Sequence, residues 1–241
     1  MKRIFVKLVV VLFIIGLAGS CADDDFVADA DGDAFIVSRI TGQGAEADTV
    51  FGLALHAFGN KDFSKAEATA PGGTKIQLQP YNGYAYDYYY EADEEQFSET
   101  LPETGSYSFA FSYRTGESSS ATDELSEDVL YPARITKCEY NATNLGVDLA
   151  WEALADAQYY VIFMEDADGD VVYVSERLGE SVVSYTISES AKGLWTGDSG
   201  PSTGTSYTFV INAYRYENGV VDLNIQAKSI ATATSVWGAA N

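Results

Sequence analysis

The sequence predicts an all-β protein made of two tandem β-sandwiches, and three observations lead there. Tyr, Phe, Val and Thr are plentiful, with 17 Tyr and 12 Phe among 241 residues, and such side chains suit the pleated, half-buried surface of a strand. Apolar and polar residues alternate over short runs bounded by Gly, Asn and Asp, and no long 3.6-residue apolar period interrupts them. Finally, Thr104-Gly105-Ser106-Tyr107-Ser108-Phe109-Ala110-Phe111 is echoed by Thr203-Gly204-Thr205-Ser206-Tyr207-Thr208-Phe209-Val210-Ile211. An internal echo of this kind points to a duplicated unit.

Taken in order, residues 1–20 read as an export signal. Lys2, Arg3 and Lys7 form a basic start, and residues 8–18 form an apolar run too short to span a bilayer as a helix. Residues 21–33 read as an acidic tether. Within it Asp29-Ala30-Asp31-Gly32-Asp33 is polar and turn-rich, so the first strand is expected to begin at Ala34. Residues 34–126 are expected to form the first sandwich, with strands over 35–40, 49–58, 75–79, 84–90 and 107–113, then a turn-rich stretch and a final strand. The join falls near Asp123 to Leu130. Residues 127–241 are expected to form the second sandwich, with strands over 147–151, 157–163, 171–174, 183–187, 204–214 and 226–233. A helical turn or two is expected within 187–195. Alternation sends Val147, Leu149 and Trp151 to one face, and likewise Tyr159, Val161 and Phe163, and Tyr207, Phe209 and Ile211; together these faces are expected to close one core.

Leu17-Ala18-Gly19-Ser20-Cys21 resembles the end of a bacterial lipoprotein signal. The resemblance implies cleavage before Cys21, lipidation of that cysteine, palmitate included, and attachment to a membrane on the side away from the cytoplasm. The alternative is an ordinary cleaved secretory signal. Ala22-Asp23-Asp24-Asp25 resembles the lipoprotein export signal of Bacteroidota, which implies the outer leaflet of the outer membrane, facing the cell exterior. The alternatives are a hydrated spacer and a periplasm-facing anchor. From Leu130 to Val236 the chain resembles a fibronectin type III domain. Val147-Asp148-Leu149-Ala150-Trp151 stands where its strand B would be, Ala157-Gln158-Tyr159-Tyr160-Val161-Ile162 where strand C would be, and Tyr207 takes its tyrosine-corner position. The first half shares only the echo and reads as a sister immunoglobulin-like sandwich.

The formal charge is −22; removing the three basic residues of the signal leaves 11 Lys and Arg against 36 Asp and Glu, a net of −25. Phosphate binding needs clustered Lys and Arg, so nucleic acid is not an expected partner, and neither is docking onto anionic lipid headgroups. With Cys21 lipidated, Cys138 is unpaired; it reads as a small buried hydrophobe, with a reactive thiol as the alternative. His56, the single histidine, reads as structural. Asp-Ala-Asp-Gly-Asp occurs at 29–33 and 166–170. Neither copy completes an EF-hand loop, because the sixth and twelfth positions are Ala34 and Ile40 in one and Val171 and Arg177 in the other. The first reads as a linker and the second as a hairpin turn. No nucleophile elbow, phosphate loop or zinc-ligand spacing is present in the sequence, so no enzyme activity, cofactor or metal is expected.

The remaining functional signal is aromatic. In Tyr81-Asn82-Gly83-Tyr84-Ala85-Tyr86-Asp87-Tyr88-Tyr89-Tyr90, a strand places Tyr84, Tyr86, Tyr88 and Tyr90 on one face. Such a face either packs in a core or stacks on sugar rings with Asn and Asp bonding the hydroxyls. Trp195, in a long loop after the 183–187 strand, is a further candidate binding residue. The expected role is a non-catalytic surface lipoprotein that binds or spaces, with glycan capture beside a nutrient-uptake complex as its sharper form. The alternative is an adhesin or structural component that binds another surface protein through a strand edge.

Overall fold

A computed structural model describes residues 27–42, 47–81, 83–196, 200–217 and 224–238. Cys21, the export signal and the acidic run 22–25 lie outside the described residues. Among those described, the regular elements are strands and one 3-10 turn at Glu94–Gln96.

Two strand sets repeat the same plan. In the first half, β1 (Ala30–Thr41), β2 (Asp48–Gly59) and β6 (Tyr84–Glu91) form one layer with the short β5 (Gln79–Tyr81). β4 (Lys75–Gln77), β3 (Phe63–Thr69), β7 (Gly105–Tyr113) and β8 (Ser118–Leu125) form the other. In the second half, β9 (Ile135–Asn141), β10 (Gly146–Trp151) and β14 (Ser184–Ser188) face β12 (Val171–Ser175), β11 (Tyr159–Glu165), β16 (Ser206–Tyr216) and β17 (Ile225–Val236). β13 (Leu178–Gly179) pairs with β11, and β15 (Gly193–Trp195) with β12. Each half is thus a seven-strand sandwich of A-B-E against C′-C-F-G, with β5, β13 and β15 as short additions.

The tyrosine corners are built as the echo implies. Tyr107 in β7 donates its hydroxyl to Glu103 O at 2.6 Å, and Tyr207 in β16 accepts from Ser202 N–H at 3.0 Å. Both rings are buried, at 1% and 7% exposure. Each pins the chain that enters its F strand from the other layer. Below Tyr107, Phe109 and Phe111 stack with Phe63 against Leu55, Ala57 and Ile36; below Tyr207, Phe209 and Ile211 meet Val147, Leu149 and Trp151.

β1 departs from the expected tether. The first strand begins at Ala30, not Ala34, and from Gly32 to Ser38 every residue is buried. Gly32 packs so close to the Phe109 ring that a Cβ there would lie 2.3 Å from it. Asp33 is 4% exposed. The reading of 29–33 as a solvated linker is therefore corrected: Gly32 and Asp33 are buried within β1, and Asp33 Oδ2 accepts a backbone N–H from Ile225 in place of water.

β1 also joins the halves. It pairs antiparallel with β2 along its length and parallel with β17, Ile36 opposite Ala227 and Arg39 opposite Ile230. One ten-stranded sheet results, running β15-β12-β11-β16-β17-β1-β2-β6-β5 with β13 beside β11 off this path. A strand covered on both faces and paired on both edges needs an apolar run without alternation, and Ala34-Phe35-Ile36-Val37 supplies it. Ala34 and Ile36 face the first core. Phe35 and Val37 face the opposite way and are covered by Tyr89, Phe97, Ile225 and Ile230. The Arg39 guanidinium lies over the Phe97 ring, 3.8 Å from its centroid. Lys228 on β17 reaches Glu91 on β6 at 3.4 Å, across β1 and β2. The connection between halves is tied down as well: Gln226 Nε2 donates to Ser126 O and Asp128 O at 3.2 and 3.0 Å, Arg215 pairs with Asp128 at 2.9 Å, and Ser38 Oγ bonds Leu130 O.

Two further expectations change. Tyr160, Ile162 and Met164 fill the second core at 0% exposure, not Tyr159, Val161 and Phe163. Tyr159-Tyr160-Val161-Ile162-Phe163-Met164 is apolar on both faces, so alternation cannot choose between them; the register with β16 does, placing Tyr159 opposite Tyr214 on the outer face. The stretch 187–195 contains no helix. Its start finishes β14, its end forms β15, and Ala191 N–H bonds Ser188 O in a turn between them.

Candidate functional site

β6 carries the tyrosine run, and its pairing decides what each ring does. β2 pairs with β6 only from Glu91 to Asp87. Within that ladder Ala57 stands opposite Tyr88 and Leu55 opposite Tyr90, so both rings turn toward the first core. Tyr88 is 6% exposed, meets Phe63 edge-on at 5.4 Å and bonds Phe63 O at 3.4 Å. It is thereby removed from any ligand platform: a ring closed in by Phe63 has no free face. Tyr90 is half-buried, with its hydroxyl 3.2 Å from Gln96 Oε1.

Beyond Asp87 the same face of β6 leaves the ladder with β2, and Tyr84 and Tyr86 are 52% and 44% exposed. Their ring centroids lie 5.3 Å apart at 33°. On the opposite face of this sheet end, Tyr81, 43% exposed, packs on Tyr89 at 5.0 Å. Tyr89 contacts His56 at 6.3 Å, and His56 contacts Phe58 at 5.4 Å. His56 Nε2 lies 2.7 Å from Asp87 Oδ1. Burial, then the Glu91 charge, drives the Tyr89 hydroxyl far above the usual phenol range, so it stays a neutral donor to Glu91. The β5 end of the sheet thus offers solvated rings on both faces: Tyr84 and Tyr86 on one, and Tyr81 and Phe58 with the His56–Asp87 pair on the other.

Phe58 and His56 enter this region unannounced. Both lie on β2, remote in sequence from the tyrosine run, and only the antiparallel register puts His56 against Tyr89 and Phe58 against Asp87. Their spacing, two residues apart on a strand, shows that they share a face but not what that face meets.

Trp195 lies at the other end of the ten-stranded sheet, on β15, and is not brought together with the tyrosines. It is half-buried, packs on Tyr173 at 4.7 Å and meets Trp237 edge-on at 6.3 Å. Its indole nitrogen is buried without a hydrogen-bond partner. It extends the second core.

A second aromatic group occupies the outer face of the second half. Tyr159 stacks on Tyr214 at 4.5 Å and 3°, Tyr216 follows at 5.3 Å, and the Arg177 guanidinium sits 4.1 Å above Tyr159. Burial is the main reason the Tyr214 hydroxyl is pushed up to about 12, and Tyr81 and Glu91 add to it from across the seam.

The other candidate groups settle into structural roles. Asp166 Oδ1 accepts from Asp168 and Asp170 N–H at 3.0 and 2.9 Å, and Gly169 takes φ +84, closing the β11–β12 hairpin. Cys138 is half-buried against the second core, and burial, then Glu139, raises its thiol to about 11. A thiol so raised is a poor nucleophile near neutral pH. Among the described residues no cluster of three metal-ligating side chains is drawn together, and no helix is long and apolar enough to cross a membrane.

No family model matches the chain, and no curated protein matches it in sequence. Several solved structures are similar at low identity. A cytokine receptor complex is 13% identical over 78% of this chain and 92% of that one, with a TM-score of 0.31. A two-domain fibronectin type III segment of chicken tenascin is 8% identical over 82% and 95%, with a TM-score of 0.29. A tetra-tandem repeat in the extending region of a large adhesion protein is 16% identical over 85% and 50%, with a TM-score of 0.27.

Proposed function

We propose that this protein is a non-catalytic binding lipoprotein of the bacterial outer membrane, held by lipid on Cys21 and facing the cell exterior. Residues 21–29 are its tether, and the two sandwiches, divided near residue 126, are its body. The body captures glycan at the β5 end of the long sheet. The observation that carries this reading is the solvated tyrosine group. Tyr84 and Tyr86 present neighbouring rings at 52% and 44% exposure, on a strand whose next inward ring, Tyr88, is locked in the core. Paired flat apolar faces of this kind match the apolar surfaces of a sugar chain.

A second reading, capture of another surface protein, rests on a different place. Among the described residues Ile135–Asn141 is an edge strand, paired with β10 alone, and beside it runs a groove of about 1080 Å³ lined by Arg39, Ile40, Arg134, Lys137 and Ile230. An extended segment laid there would complete the ladder.

The test is retardation of the full chain in gels containing a panel of polysaccharides. A Tyr84→Ala/Tyr86→Ala variant is expected to lose retardation at unchanged thermal stability. Retardation that survives in the double variant, or that no polysaccharide produces, refutes the glycan reading. For the anchor, Cys21→Ala is expected to move the protein from the membrane to the soluble fraction.

A further inference from the structure

Where β1, β8, β16 and β17 converge, carboxyl groups from distant parts of the chain meet. Asp33 on β1 is 4% exposed. Its Oδ2 accepts Ile225 N–H at 2.9 Å, while its Oδ1 is buried with no partner. Asp123 on β8 is 6% exposed; it accepts Ala34 N–H at 2.7 Å on Oδ2 and Asn224 Nδ2 at 3.1 Å on Oδ1. Glu217, the residue after β16, is half-buried beside Asp123, and its Oε1 is buried without a partner. Asp31, exposed on β1, adds a further negative charge to Asp33 and Glu217. The nearby cation Arg215 is engaged by Asp128 at 2.9 Å.

Two carboxyl groups form a hydrogen bond only when one carries a proton, and burial disfavours their charged forms. Burial first, and then the Asp123 charge, pushes Glu217 up to about 7. Asp33 is raised well above the usual carboxylate range by burial, against the opposing pull of the Ile225 N–H. These groups stand where β1 of the first half meets β17 of the second. Every hydrogen bond named above, except that between Asp123 and Ala34, joins one half to the other.

We propose that this carboxyl cluster is a proton-operated clasp between the two sandwiches: protonated, Glu217 bonds Asp123 and closes the junction, and deprotonated, the carboxylates repel and loosen it. The sign follows from linkage. A carboxyl whose folded pKa is raised contributes stability fully present below its unfolded value, about 4.3 for Glu, and lost as pH rises through the folded one. For Glu217 the loss therefore runs from about pH 4.3 up to about 7 and is complete above it, so the junction is tighter in mild acid than in mild alkali.

The test is the pH dependence of thermal unfolding and of amide exchange in the full chain, from about pH 4.5 to about pH 8.5. The melting temperature is expected to fall as pH rises toward 7 and to level off above it. Opening at the Ile225 amide, corrected for intrinsic exchange, is expected to rise by up to about tenfold per pH unit below about pH 7, the limit for one proton, and to level off above it. Glu217→Gln is expected to flatten both. Glu152→Gln removes the same charge from a side chain 55% exposed and is expected to leave both slopes intact, which separates the clasp from general repulsion in an acidic chain. Should Glu217→Gln fail to fold, Asp33→Asn keeps the acceptor for Ile225 and is expected to flatten the same slopes. Slopes unchanged in whichever variant folds would overturn the proposal. So would recovery of the alkaline melting temperature by calcium, which would make the cluster a cation site.

Discussion

Ile36 stands opposite Ala227 in a parallel ladder, so the first strand of the chain lies beside its last. β17 would otherwise present an open edge at the C′-C-F-G layer of the second sandwich, and β1 covers it. The two halves therefore share a sheet instead of hanging from one another by a linker. Replacing Val37, which is fully buried, with Pro removes an N–H and imposes a fixed φ on a strand paired on both sides. The expected result is a loss of about 3 kcal/mol or more. Amide exchange is expected to show β16 and β17 losing protection along with β2. Loss confined to β2 would mean that the shared sheet does not couple the halves.

Tyr86 and Tyr88 are two residues apart and answer differently to truncation. Tyr88→Ala opens a cavity against Phe63 and is expected to cost about 3–5 kcal/mol in urea unfolding, as for other buried aromatics. Tyr86→Ala, on a solvated ring, is expected to stay within about 0.5 kcal/mol. Equal losses at the two positions would mean that Tyr86 is covered and cannot be a stacking face.

Asp148 sets an acid limit with the opposite sign to that of Glu217. On β10 it accepts from Asn141 Nδ2 at 2.8 Å, Lys137 Nζ at 2.9 Å and Thr186 Oγ1 at 2.8 Å. The Asn141 bond first, with those of Lys137, Thr186 and Asn144, holds its carboxyl well below the usual range against the cost of burial. A lowered folded pKa contributes stability that is present above the unfolded value, about 3.9, and is lost as pH falls. Asp148→Asn is expected to lower stability at neutral pH and to shrink the further loss on acidification below about pH 4. An acid limb as steep as that of the parent chain would assign acid unfolding to other carboxylates.

Much of this fold was legible in the residues. Alternation over Val147-Asp148-Leu149-Ala150-Trp151 and the paired Tyr107 and Tyr207 segments state their own burial, because a strand with one wet face must separate its side chains by parity. β3 and β8 were harder to place. Phe63-Ser64-Lys65-Ala66-Glu67-Ala68-Thr69 buries only small alanines after Phe63, and a bulge between Phe63 and Lys65 breaks its parity. Ser118-Ser119-Ser120 carries almost no apolar signal, since β8 lies at a sheet edge and puts only Asp123 and Leu125 fully inside.

The sequence by itself determined the strand content, the duplication, the acidic charge, and which tyrosines share a face of β6. Those properties depend on side-chain type and period, which are local. Only the tertiary structure decided that β1 leaves the tether and pairs with β17, that Tyr159 faces outward while Tyr160 faces in, and that Tyr88 is core while Tyr84 and Tyr86 are solvated. It also decided that Asp33, Asp123 and Glu217 meet. Each of these turns on which strand lies alongside which, and where that pairing stops. Register between segments so distant in the chain is set by the fit of whole faces, which no single stretch of residues contains.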